Sequence, residues 1–225
     1  AKGSQPMKSF DLAKRTTAEL VGLLRHKNKW HRQTASRLLA DRTDAKALPV
    51  LNNILRDELG QAALEAFWAI NLCGGFNPEF AEQTLKHANP HVRAWTVRLL
   101  GDERLVSEAT AKLLAGLAKR EPHVEVRGQL AATAKRLPVG QALPIVRALL
   151  THDTDAGDIY QPLMVWWALE SKAGDHPGEV LGLFDDKSLW QESLVREHIL
   201  NRIIRRYAKA GARADLVSCA RLFEM

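Results

Sequence analysis

The residues best suited to chemistry in this chain recur at intervals instead of clustering. "HKNKWHRQTASRLLAD" (26–41) and "HANPHVRAWTVRLLGD" (87–102) align over a shift of 61 residues. His87 falls on His26, Asn89 on Asn28, Arg93 on Arg32, and Leu99-Leu100 on Leu38-Leu39. Histidine and arginine at a fixed spacing raise two readings: a catalytic motif used twice, or a structural unit used many times. The wider pattern favours the second. The Val-Arg pair at 92–93 returns as Val126-Arg127 and Val195-Arg196, with His31-Arg32 in the same place. "AALEAFWAI" (62–70) and "PLMVWWALE" (162–170) fit between these copies without the arginine. A catalytic motif need not appear in several units.

Other chemistry is poorly supported. The eight histidines include no HExxH and no repeated His-Glu pair of the di-iron kind, so no metal or cofactor is expected. Cys73 and Cys219 form no CxxC or CxxCH, and they are expected as two free or buried thiols. No serine sits in a Gly-rich elbow, and neither cysteine has an activating histidine, so no catalytic residue is assigned. Trp30 lies among Lys27, Lys29, His31 and Arg32, a cluster that could stack on bases or sugars. A hydrophobic staple at a helix start is the plainer reading. Lys27, Lys29, Trp30 and Arg32 are the candidate interaction surface. Trp95 is expected in the core, whereas adjacent Trp166 and Trp167 cannot both face inward, because successive helix positions turn by about 100°.

Positioning these residues takes helices. The anchors fall near 31, 63, 92, 126, 163 and 195, the length of two short helices and two turns apart. Val92, Trp95, Thr96 and Leu99 share one helical face. Asn89 suits the N-cap and Pro90 the first helical position. Glu121-Pro122 repeats the proline placement with a poorer cap. Second helices follow at about 45–56, 78–86, 104–119, 140–151, 177–184 and 212–223. Residues 16–25 read as the second helix of an incomplete leading unit. Strand-like alternation is missing. The expectation is an all-α solenoid of about six helix pairs plus an N-terminal half repeat, with a tail over 1–15 and one domain over 16–225. In this frame His26, His87 and His152 close second helices, where a basic side chain meets the dipole's negative end. Arg32, Arg93, Arg127 and Arg196 are structural repeat residues that reach carboxylates such as Asp102 or Glu125.

Net charge is +6, unevenly spread. Residues 1–50 carry 11 Lys/Arg against 4 Asp/Glu, and residues 151–200 carry 3 against 10. A nucleic-acid track would keep one sign, so the blocks read as docking surfaces for neighbouring domains. No apolar run is long enough to span a bilayer, and "AKGSQPMKSF" has no apolar signal-peptide core.

Asn/Asp-Pro followed by Val-Arg and small and Leu positions resembles HEAT repeats. The blocks "RHKNKWHRQTASRLLADR", "ALEAFWAINLCGGF", "HANPHVRAWTVRLLGD", "EPHVEVRGQLAATAKRLP" and "VWWALE" resemble one narrower group. This is the HEAT region of large exported planctomycete and verrucomicrobial proteins of the membrane-bound dehydrogenase type. There a sugar-dehydrogenase-like propeller precedes the HEAT region and a haem-binding CxxCH domain comes after it. The resemblance implies a monomeric, non-catalytic scaffold cut from an exported parent, with flanking domains or another protein as partner. The alternative is a nucleic-acid-binding HEAT protein of the AlkD-like DNA glycosylase type, which the acidic 151–200 block argues against.

Overall fold

A computed structural model of the chain describes residues 10–225, so most of the 1–15 tail lies outside the described residues. The fold is all-α, and no strand occurs among the described residues. Thirteen α-helices occur among them, in this order: α1 (Thr17–Leu23), α2 (Lys29–Arg42), α3 (Ala47–Asp57), α4 (Gln61–Leu72), α5 (Pro78–Thr84), α6 (Pro90–Leu100), α7 (Glu108–Arg120), α8 (Val124–Arg136), α9 (Val139–Leu149), α10 (Gln161–Ala173), α11 (Pro177–Gly182), α12 (Leu200–Ala210) and α13 (Arg213–Glu224). They fall where the apolar periodicity places them. The chain divides into two compact units, one ending at Ala81 and the other running from Glu82 to Met225.

In the first unit α2 packs on α4, α1 on α2 and α3, and α3 on α4. Leu20, Leu39, Leu51, Phe67 and Ile70 are fully buried there. In the second unit α6, α8, α10 and α12 form one row, each packed on the next. The pairs α7–α9 and α11–α13 lie in a second row, with α9 also against α8 and α10. This is α-solenoid packing, because each amphipathic helix can bury its stripe only against a neighbouring pair. The core of this unit is continuous from Leu114 and Leu130 through Ile145, Val165 and Leu169 to Phe184, Ile203 and Tyr207.

The helix starts obey local chemistry. Asn89 caps α6 by accepting from His91 N at 3.0 Å, with Pro90 in the first turn, and Asn28 caps α2 by accepting from Trp30 N at 2.9 Å. The Glu121-Pro122 expectation is corrected. α8 begins two residues later, at Val124, and Glu121 accepts instead from His123 N at 3.0 Å. Gly101 ends α6 where α8 comes close: a Cβ there would lie 2.6 Å from Thr133 Cγ2. The region around Arg196 departs from the other first helices, opening with a π-helical segment, Val195–Ile199, before α12.

Candidate functional site

Three of the four recurring arginines form one bond set. Arg93 donates through Nη1 to the carbonyls of His87 (2.7 Å) and Ala88 (3.1 Å), the turn leading into its own helix. Its Nε and Nη2 grip Glu121 at 2.8 and 2.5 Å, just before the next first helix. Arg127 repeats this with Glu121 O (2.9 Å) and, through Nε, Asp155 Oδ2 (2.7 Å). Arg32 does so in the first unit with His26 O, Lys27 O and Glu65. The partners are thus Glu65, Glu121 and Asp155. Asp102 pairs instead with Arg136, and Glu125 meets the exposed His91. Glu121 and Asp155 are buried, so each fork satisfies a carboxylate that would otherwise be stranded away from water.

Arg196 stands apart. Its guanidinium is exposed, 3.4 Å from Gln191 O and 3.7 Å from the neighbouring Glu197, with no bridge between helix pairs. The expectation that it bridges like the others is corrected. Arg196 keeps the fourth helical position of its counterparts, at the start of the π segment, but it meets only Gln191, Ser193 and Glu197, all within five residues of it.

The histidines also make turn bonds. His26 Nδ1 and His87 Nδ1 accept from Asn28 N and Asn89 N, each at 3.0 Å, which requires an unprotonated Nδ1. The carbonyls of the same turns, His26 O and His87 O, are taken by Arg32 and Arg93. His152 does contact a helix-end carbonyl, Ala118 O at 2.6 Å, but that of α7 and not of its own helix.

A second ladder, unforeseen in the sequence, joins the C-terminal ends of the first helices. Arg136 on α8 donates to Arg98 O on α6 (3.2 Å), and Lys172 on α10 donates to Lys135 O on α8 (2.9 Å). Burial pushes the Lys172 ammonium pKa down. The signal for this ladder is a basic residue in the last turn of each helix.

The residues chosen as an interaction surface lie together in the first unit. Trp30 is 52% exposed but sits in the first turn of α2, not before it, so it is no staple. Its ring meets Phe10 edge-on at 5.7 Å and His31 at 5.0 Å, and His31 stacks on Phe10 at 5.5 Å. Lys27 and Lys29 are exposed. The adjoining cleft, about 310 Å³, is lined by Arg25, Lys27, Arg32 and Glu58. Two of its three cations are neutralised, Arg25 by Glu58 and Arg32 by Glu65.

The second unit holds a larger groove on the solvent side of α6, α8 and α10. It encloses about 700 Å³ and is lined by Arg98, Arg104, Lys135, Arg136, Met164 and Trp167. Trp167 is 46% exposed, and Trp166 packs against the core, so the Trp pair divides as helix geometry requires. Lys135 Nζ lies 5.9 Å from the Trp167 ring centroid. Arg98 covers the Trp95 ring at 4.9 Å. Trp95 itself is half-buried, a correction to its core placement, because Val92, Thr96 and Val97 carry the buried stripe of α6. Arg104 holds φ at +60°, a left-handed conformation costing an L-residue roughly 1–2 kcal/mol. Among the described residues Arg98, Arg104 and Lys135 have no carboxylate within ion-pair distance, whereas Arg136 holds Asp102 at 2.5 Å. Sequence reading missed this groove because its residues come from helices more than thirty positions apart.

The remaining reactive groups are quiet. Cys73 and Cys219 are free and buried, and burial raises the Cys73 thiol pKa, which disfavours the nucleophilic thiolate. Burial pushes the Tyr207 phenol up to about 12. Ser188 and Arg147 hold the Asp186 carboxyl down at about 2. Among the described residues no helix is long and apolar enough to cross a membrane. No family model, curated protein or solved structure matches this chain.

Proposed function

We propose that this chain is a non-catalytic α-solenoid scaffold that spaces neighbouring domains or docks a protein partner, as its resemblance to the dehydrogenase-associated HEAT region implies. One observation carries the reading. Most of the recurring residues able to do chemistry are held in internal bonds: Arg32 by Glu65, Arg93 by Glu121, Arg127 by Asp155, and the His26 and His87 rings by turn amides. What stays available is surface, both charged and aromatic. Such a module contributes orientation and encounter, and its contacts weaken with salt. The parent would be exported, and its propeller and haem domains would carry the redox work.

The test mixes the purified chain with separately produced propeller and CxxCH haem domains at low and high salt. A complex that forms at low salt and weakens at high salt is expected, with no Soret band and no sugar oxidation by the chain alone. Haem uptake or turnover by the chain alone overturns the reading. No complex at low salt refutes docking.

A further inference from the structure

We infer that the groove over α6, α8 and α10 binds an acidic peptide segment bearing a large apolar side chain. The inference rests on the scaffold reading for its biological sense and on the groove's own geometry for its chemistry.

Three cations, Arg98, Arg104 and Lys135, line one cleft with no carboxylate partner among the described residues. Like charges gathered in this way repel, and an incoming anion relieves that repulsion. The groove already shows which anion suits it. Arg136 holds the Asp102 carboxylate at the rim by an Nη1 bond of 2.5 Å. Two further guanidiniums present the same planar fork, which matches carboxylate oxygens in pairs. Arg104 reaches the rim from a left-handed backbone conformation that costs a long side chain such as arginine, so its placement is maintained against strain. Ala131, Ala132 and Met164 line the cleft beside these charges, and Trp167 leaves nearly half its surface to water. A half-open tryptophan in a cleft is the residue type that anchors binding hot spots.

A peptide fits better than a nucleic acid. The cations fill one cleft and do not form a track. The only exposed large ring at the cleft is Trp167, among the described residues. The acidic 151–200 stretch belongs to the same unit, with 10 carboxylates against 3 cations, and repels a phosphate backbone running more than a few nucleotides. An acidic peptide needs only two or three carboxylates around one apolar side chain.

The experiment is fluorescence anisotropy on the full chain with a labelled peptide alternating glutamate with leucine and tryptophan. A peptide with glutamine for every glutamate and a short single-stranded oligothymidylate serve as comparators. The acidic peptide should bind and lose about tenfold in affinity when Arg98→Glu and Lys135→Glu are combined. Trp167→Ala should cost a similar factor, and the glutamine peptide should not bind. Lys119→Glu with Lys209→Glu makes the same charge change outside the groove lining and should leave affinity within about twofold; an equal loss there would overturn the proposal. So would no binding at low salt, indifference to the groove substitutions in folded variants, or tighter binding of oligothymidylate. Failure of the peptide while the propeller or haem domain still binds refutes the groove alone. Failure of both refutes the scaffold reading as well.

Discussion

Trp30 and Trp167 keep similar company by composition and different company by bonding. Around Trp30 the sequence gathers Lys27, Lys29, His31 and Arg32 within six positions. Yet Arg32 is tied to Glu65, Arg25 of the adjoining cleft to Glu58, and the indole edge to Phe10. Around Trp167 no comparable run exists, but α6 and α8 bring Arg98, Lys135 and Arg136 to it, and two of those three meet no carboxylate among the described residues. Cations next to each other in sequence are not thereby available. Availability depends on whether a carboxylate from another helix has already reached them.

This contrast predicts a sharp division between bonded and unbonded cations. Arg127→Ala should cost about 3–5 kcal/mol, because Asp155 is left charged and buried. Arg93→Ala should fall in the same range by exposing the same fault at Glu121. Urea unfolding measures both, and a loss below about 1 kcal/mol for either would break the division. Gly101→Ala should cost about 1–3 kcal/mol, since its new methyl collides with Thr133 and pushes apart the helices that floor the groove. The same denaturation series should show Gly140→Ala neutral or stabilising by up to about 1 kcal/mol, because Gly140 lies in α9 with open space around it.

On the unbonded side, Arg98→Ala, Lys135→Ala and Arg196→Ala should each change stability by less than about 0.5 kcal/mol. A larger effect at Arg98 or Lys135 would mean the groove cations are structural after all. The smallest effect concerns an exposed pair. Arg147 and Ser188 hold the Asp186 carboxyl at about 2, below its ordinary 3.8. A lowered folded value means the carboxylate's stabilisation is complete above the unfolded value and disappears as pH falls from about 4 through 2. Carboxyl-carbon NMR titration should give that low midpoint, and Arg147→Ala should move it upward. An unmoved midpoint would assign the whole shift to Ser188.

The fold is largely legible in the sequence because its signals are local. Asn89-Pro90 sets the start of α6, and apolar spacing marks helices from α1 at Thr17–Leu23 to α13 at Arg213–Glu224. The bonding is less so. The sequence shows that Arg93 and Arg127 recur, and their partners Glu121 and Asp155 each lie 28 residues on, but Arg32 reaches 33 residues to Glu65, so no single spacing names the acceptor. Glu65 stands inside α4, while Glu121 stands before α8, so the acceptor position itself drifts. The π segment at Val195–Ile199 has no propensity signature, and nothing in the Val-Arg pattern tells that Arg196 meets only its own segment. Trp95 is misplaced by periodicity, which ranks a stripe without fixing its centre; that centre lies over Val92, Thr96 and Val97. The groove is invisible for a related reason: Arg98, Lys135 and Trp167 meet only once three helices stand side by side.

The arginine forks have a consequence for how the second unit forms. Arg93–Glu121 and Arg127–Asp155 each close a loop of 28 residues, and the carbonyl ladder from Arg136 and Lys172 closes loops of 38 and 37. Loops of this length are entropically inexpensive, and none has to wait for the chain's distant end. Assembly can therefore proceed like a zipper, with each completed helix pair presenting a template on which the next one condenses, and at the speed of low-contact-order chains. Pulled from its C-terminus, the same row should release one junction at a time, giving several small force steps in place of one large rupture.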